Sequence, residues 1–148
     1  MQLDIRLSSE DAITPTRANP TDAGLDLYTP RGYVWEFKPG EKRTINTNVQ
    51  VAIPEGHVGL LVARSSLQRE GLMLANSVGI IDSGYRGDLK VVLLNVTEYL
   101  QYLGEGVRFA QLVLVPIITP GVNVVTESDN DWYDTDRGAG GFGSTGKN

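Results

Sequence analysis

Residues 43–53 alternate cleanly: Ile45, Thr47, Val49, Val51 and Ile53 share one face, while Asn46, Asn48 and Gln50 share the other. A period of two over that length predicts a half-buried β-strand. Similar short runs rich in Val, Ile, Leu and Tyr predict strands at 3–7, 25–28, 33–37, 57–63, 88–95, 108–118 and 122–126. Between them lie Pro39-Gly40, Pro54-Glu55-Gly56, Gly104-Glu105-Gly106 and Pro120-Gly121, whose prolines and glycines suit chain reversal. The one helical expectation is a turn or two around 66–70. Many short strands at even spacing, with no internal repeat and no dividing linker, predict an all-β sandwich, jelly roll or small barrel.

The texture changes near the C-terminus. Residues 128–136 are acidic and polar, and 137–146 hold five glycines in ten positions. The expected organisation is a folded body over 1–127 and a flexible glycine-rich arm over 128–148. The acidic run lacks the spacing and distal Glu of a calcium loop. Gly141 to Lys147 fits the G-x-x-x-x-G-K phosphate-loop pattern, but Asn148 follows where Ser or Thr belongs, so a phosphate loop opening a helix is not expected. Its glycine-rich backbone can still form an anion-binding nest, to which Ser144 and Thr145 add hydroxyls.

Composition narrows the chemistry. At 148 residues and 41% hydrophobic the chain is about one domain with a real core. It has no cysteine and a single histidine, His57, so any divalent ion must be held by oxygen, which favours magnesium, calcium or manganese over zinc. A net charge of −5 argues against duplex DNA or RNA as a partner, but not against a single nucleotide held by a few arginines and a metal. No basic-then-apolar leader and no apolar run near 20 residues is present, so a soluble intracellular protein off the membrane is expected, compatible with a viral or phage origin. Asn95-Val96-Thr97 matches the glycosylation sequon, a match without meaning absent export.

Five segments carry more specific chemistry. They are Asp22-Ala23-Gly24-Leu25-Asp26-Leu27-Tyr28, Ala63-Arg64-Ser65-Ser66-Leu67, Asn76 to Gly87 with Ile80-Ile81-Asp82-Ser83-Gly84-Tyr85 at its centre, Gly106-Val107-Arg108-Phe109-Ala110-Gln111-Leu112, and Arg137 to Gly146. Read locally, Asp82 before Ser83-Gly84 is a turn-capping carboxylate hydrogen-bonded to its own backbone. Tyr85 is by the same reading a cross-strand aromatic, and Arg64 a solvated surface cation. Gln111 is an amide in an apolar strand that must find partners, and Asp26 a charge between two leucines, which on an edge strand would face solvent.

In order and spacing these segments resemble the five motifs of the homotrimeric dUTP pyrophosphatases (dUTPases) over nearly the whole chain. The resemblance implies a distorted jelly-roll β-barrel over 1–127 with the arm closing over a nucleotide site. It implies Mg2+-dependent hydrolysis of dUTP to dUMP and pyrophosphate, lowering dUTP and supplying dUMP for thymidylate synthesis. Asp82 is implied to activate the attacking water, Asp26 to hold the metal through bound water, and Gln111 to bind the α-phosphate region. A hairpin from Asn76 to Lys90, including Gly79, Ile80 and Ile81, would hold the uracil through its backbone, with Tyr85 beneath the deoxyribose. Arg64, Ser65 and Ser66 would contact phosphates, Arg137 the γ-phosphate, and Phe142 the uracil face, with Gly143, Ser144 and Thr145 completing the arm. The family usually has glycine where this chain has Ser66. A homotrimer with shared sites is also implied. The alternatives are a dCTP deaminase of the same fold and a nucleotide-sensing protein that engages a regulatory partner.

Overall fold

The computed structural model describes residues 2–126, 132 and 134–141. These form β1 (Asp4–Leu7), β2 (Gly24–Tyr28), β3 (Trp35–Phe37), β4 (Lys42–Asn46), β5 (Val49–Ala52), β6 (His57–Ala63), β7 (Leu72–Leu74), β8 (Val78–Ile81), β9 (Lys90–Asn95), β10 (Gln101–Leu103) and β11 (Arg108–Pro116), with one 3-10 turn at Leu67–Glu70. The strands pair antiparallel as β2-β11-β6-β8, β4-β9-β7, β1-β5 and β10-β3. This is the all-β, jelly-roll-like architecture expected. Among the described residues no helix is long and apolar enough to cross a membrane. The chain divides into two compact units, Met1–Ile118 and Thr119–Asn148.

One apolar cluster fills the first unit, built from the inward residues of nearly every strand: Leu27, Phe37, Ile45, Val49, Leu61, Leu93, Phe109 and Leu112 are almost wholly buried. The alternating run 43–53 buries the face that its pattern specifies, Ile45, Thr47, Val49, Val51 and Ile53. It is nevertheless two strands. Asn48 adopts a left-handed backbone with φ 55°, tolerated by Asn better than by most side chains. Its N–H donates to Asn46 Oδ1 at 3.2 Å, and buried Thr47 Oγ1 donates to Leu89 O at 2.8 Å. The chain turns a corner there, so β4 pairs with β9 while β5 pairs with β1. A period-two pattern cannot reveal the corner, because both strands keep the same side to the core.

Other boundaries differ for similar reasons. The strand expected from residue 88 begins at Lys90, since Asp88 and Leu89 are bonded into that corner. β8 pairs with β6, and β9 with β4 and β7, so the segment between β8 and β9 carries the chain from one sheet to another and is not a hairpin of paired strands. Residues 122–126 are not in a strand, and Val122 and Val124 are almost fully exposed. In β11 a bulge between Arg108 and Ala110 interrupts the alternation, so that Phe109 and Ala110 are both buried.

Buried polar side chains act at the corners. Thr29 Oγ1 accepts from Val107 N at 2.9 Å and donates to Gly104 O at 2.7 Å, tying the turn before β11 to the end of β2. Asn95, first met as a sequon, is buried: its amide donates to Phe37 O at 2.9 Å and Tyr99 O at 2.7 Å, and its oxygen accepts from Thr97 N at 2.9 Å. Asn95→Leu, similar in volume, leaves these buried groups without partners, and we expect it to destabilise the fold by about 1–3 kcal/mol or more in urea unfolding. An unchanged midpoint and slope would show the network to be dispensable.

Candidate functional site

Two clefts hold most of the residues singled out in the sequence. The first lies where β2, β11 and the end of β6 meet. Gln111 and Asp26 are directly opposite each other in the β11–β2 ladder and so project from the same face. Arg64 and Ser65 follow the last residue of β6, and Arg64 N donates to Phe109 O at 3.2 Å, which holds that turn against β11. The cleft, about 280 Å³, is lined by Asp22, Gly24, Asp26, Arg64, Ser65 and Gln111 among others. Gly24 is required by close approach, since a Cβ there would overlap Gln111 Oε1.

Asp26 is not an edge charge facing solvent: only 7% of it is exposed. Its oxygens face two arginines, Arg64 Nε at 3.0 Å from Oδ1 and Arg108 Nη1 at 3.4 Å from Oδ2. Sequence reasoning missed Arg108, although it lies within the quoted segment around Gln111; the bulge that aims it at Asp26 has no signature in the alternation. The cleft thus combines a buried carboxylate, the Arg64 guanidinium, an amide and a hydroxyl, with Arg108 bonded to the same carboxylate, and its donors suit phosphate oxygens. Among the described residues no three His, Asp or Glu side chains cluster as a metal cage. These residues fit a magnesium ion that keeps its waters, for which the Asp26 carboxylate would serve as an outer acceptor.

Ser66 begins the 3-10 turn with φ −72° and ψ −26°, an ordinary right-handed conformation open to any residue, and its side chain makes no capping bond. The departure from glycine therefore costs no backbone strain. Ser65 lines the cleft and Ser66 does not.

The second cleft, about 180 Å³, is lined by Ile80, Ile81, Asp82, Tyr85, Asp88 and Lys90. Asp82 follows β8, and its carbonyl accepts from Tyr85 N at 3.0 Å. Among the described residues no hydrogen bond engages its carboxylate, so it is not spent as a turn cap. Tyr85 is 41% exposed; its hydroxyl donates to Asp88 O at 2.9 Å, and its ring leaves no space for a Cβ on Gly87. Gly79 lies in β8 opposite Leu61, and exposed Asn76 begins the turn into β8, its carbonyl accepting from Val78 N at 2.7 Å; neither lines this cleft. Asp88, also missed in the sequence, follows directly on the Asn76 to Gly87 segment.

The clefts share no lining residue, and the β6–β8 register explains why. Ile81 is opposite Gly59, whereas Arg64 lies five residues further along (64 − 59) beyond the other end of β6. At about 3.3 Å per residue, Ile81 and Arg64 stand roughly 16 Å apart along the strand, and Asp82 lies beyond Ile81 on the far side.

In the second unit, Arg137 Nε donates to Gly140 O at 3.1 Å, and Gly138, with φ 52°, donates its N–H to Thr135 O and Oγ1. Phe142, Gly143, Ser144 and Thr145 lie outside the described residues.

A dUTPase family model matches residues 10–146. The deoxyuridine 5'-triphosphate nucleotidohydrolase of Cutibacterium acnes is 46% identical over 134 residues, covering 89% of this chain and 84% of that protein. The human mitochondrial enzyme of the same name is 40% identical over 148 residues, spanning the whole of this chain and 56% of its own. Among solved structures, Staphylococcus bacteriophage 80alpha dUTPase with dUpNHpp superposes with a TM-score of 0.85 at 34% identity, covering 99% of each chain. The D95N dUTPase of phage phi11, whose structure concerns coordination of a structural Mg(II) ion, superposes at 0.78 with 34% identity over 86% of this chain and 98% of that one.

Asp88, at the second cleft, links the stability of the fold to pH. Hydrogen bonding from Asn46, foremost, with Ser8, Gln50 and the charge of Lys90, holds its carboxyl below the usual 3.8 against the opposing effect of burial. A depressed folded-state value contributes stability that is complete above the ordinary carboxylate range and lost as the pH falls through the lower value. In urea unfolding between about pH 6 and pH 2.5, the gap between the unaltered protein and Asp88→Asn should stay constant down to about pH 5 and shrink below it. A gap that persists unchanged into acid would exclude the ionised carboxylate as its source.

Proposed function

The chain belongs to the dUTPase family and hydrolyses dUTP, and we propose that it does so by attack of an Asp82-activated water on the α-phosphorus, releasing dUMP and pyrophosphate. Asp82 suits the part of base because its carboxylate is exposed in the second cleft and, among the described residues, accepts no hydrogen bond. The backbone of Asn76, Gly79, Ile80 and Ile81, with Lys90 opposite, serves the uracil edge. Cytosine would set an amino group against a donor there, leaving buried polar groups unpaired at a cost of about 1–3 kcal/mol. Tyr85, locked to Asp88 O, serves as the floor for a deoxyribose without a 2′-hydroxyl.

The phosphates belong to the other cleft. Arg64 neutralises charge on the departing pyrophosphate, joined by Arg137 from the arm. Ser65 donates to the α–β bridging oxygen, with Ser66 beside it, and Gln111 orders the α-phosphate and its water. Asp26 holds Arg64 and Arg108 in place and accepts from the waters of a magnesium ion. When bound, Mg2+ supplies charge neutralisation across the phosphate oxygens. Closure by Phe142, Gly143, Ser144 and Thr145 excludes bulk water.

The observation that carries this reading is the separation of the clefts. The α-phosphate must meet Asp82 and Gln111 together, yet one chain sets them at opposite ends of β6. A second copy supplying the other cleft resolves this, and we propose the homotrimer of the family, with each site shared between subunits.

Asp82→Asn should lower turnover by about a hundredfold or more while retaining affinity for a non-hydrolysable dUTP analogue. Full residual turnover sinks the base assignment. Mixing Asp82→Asn with Arg64→Ala, each nearly inactive alone, should restore a fraction of activity through assemblies in which one site keeps both intact groups. No recovery after subunit exchange would place the whole site on one chain. Pyrophosphate release should be selective for dUTP over dCTP, dTTP and UTP and should fall with chelator.

A further inference from the structure

Asp88 stands in the second cleft with no part in the chemistry above, and its contacts run backward into the fold. Its Oδ2 accepts from Asn46 Nδ2 at 2.8 Å and its Oδ1 from Gln50 Nε2 at 2.9 Å. Asn46 ends β4 and Gln50 lies in β5, so one carboxylate clasps both sides of the corner where the chain changes sheets. The neighbouring residue is held as well: Leu89 N donates to Val49 O at 2.7 Å, and Leu89 O accepts from Thr47 N at 3.1 Å. On the other side Asp88 O accepts the Tyr85 hydroxyl at 2.9 Å, and Tyr85 N donates to Asp82 O at 3.0 Å. A continuous set of bonds thus joins a rigid corner of the barrel to both Tyr85 and Asp82.

We propose that Asp88 is a positioning residue for dUTP hydrolysis: clasped by Asn46 and Gln50, it fixes the 82–88 loop and with it the sugar platform and the base. The proposal rests on the reading of Tyr85 and Asp82 given above. The chemistry of the contact is specific. Two amide donors converge on two oxygens, and only an ionised carboxylate is an acceptor at both. Asn46 is not free to turn its amide over, because its Oδ1 already accepts from Asn48 N at 3.2 Å, the bond that supports the left-handed corner. Asn in place of Asp88 keeps one acceptor for Asn46 and turns a donor toward Gln50, which must lose its bond or turn its amide over, and in either case two bonds to an ionised carboxylate become weaker neutral ones.

The test uses the full chain and steady-state pyrophosphate release from dUTP. Asp88→Asn should lower kcat/KM by about tenfold to a hundredfold with a raised KM, because a displaced Tyr85 binds the sugar poorly. Loss of folded protein alone would lower the apparent kcat and leave KM unchanged. The double variant Asn46→Asp with Asp88→Asn exchanges donor and acceptor across the contact and should return kcat/KM to within about threefold of the unaltered protein. An Asp88→Asn protein within about twofold of the unaltered one, or a double variant no better than the single, overturns the proposal. If Asp88→Asn does not fold, Gln50→Leu removes one donor and should raise KM by about threefold, with an unchanged KM counting against the clasp. Full turnover by Asp82→Asn would instead overturn the base assignment, a result distinct from any outcome at Asp88, Asn46 or Gln50.

Discussion

β11 is hydrogen-bonded on both edges, to β2 and to β6, and the geometry of the candidate site follows from that double pairing. Register on one edge sets Gln111 against Asp26; register on the other brings Ala63 opposite Ala110, so that Arg64 emerges beside both. The bulge near Phe109 lets the strand bury two consecutive residues and turns Arg108 toward Asp26. A one-residue slip would send Gln111 to the opposite face and dissolve the cluster. Thr29, bonded to the turn before β11, holds the start of that register in place.

The same sheet separates as well as assembles. β8 joins β6 antiparallel, so its C-terminal end, where Asp82 begins, is carried away from Arg64. Antiparallel pairing forces this: a strand running back along its neighbour delivers its following loop to the far end. A fold of this topology puts the loop that carries Asp82 and the cluster around Arg64 at different ends of one strand, and symmetric association of identical chains is an economical way to bring two such surfaces together.

Polar side chains manage the places where sheets exchange strands. Thr47, Asn46 and Asp88 satisfy backbone and side-chain groups at the β4–β5 corner, and Asn95 does so beside β9. Buried without partners each would cost free energy; bonded, each fixes one conformation. The corner is also where the candidate base and sugar platform are anchored, so rigidity of the barrel and order in the cleft share the same bonds.

The sequence by itself determined the all-β class, the core face of most strands and the identity of the chemistry-bearing segments, because period-two burial and local motif composition are properties of neighbouring residues. His57–Ala63 runs as its pattern specifies, and Asp26, Arg64, Ser65 and Gln111, scattered along the chain, converge in one cleft. Only the tertiary structure decided that 43–53 breaks at Asn48, that Asp26 is buried between Arg64 and Arg108, that Asp88 clasps Asn46 and Gln50, and that Asp82 lies apart from the cleft that holds Arg64. These depend on which strands pair and in what register. That pairing is set by contacts between residues far apart in the chain, and the alternation of hydrophobic and polar positions carries no information about it.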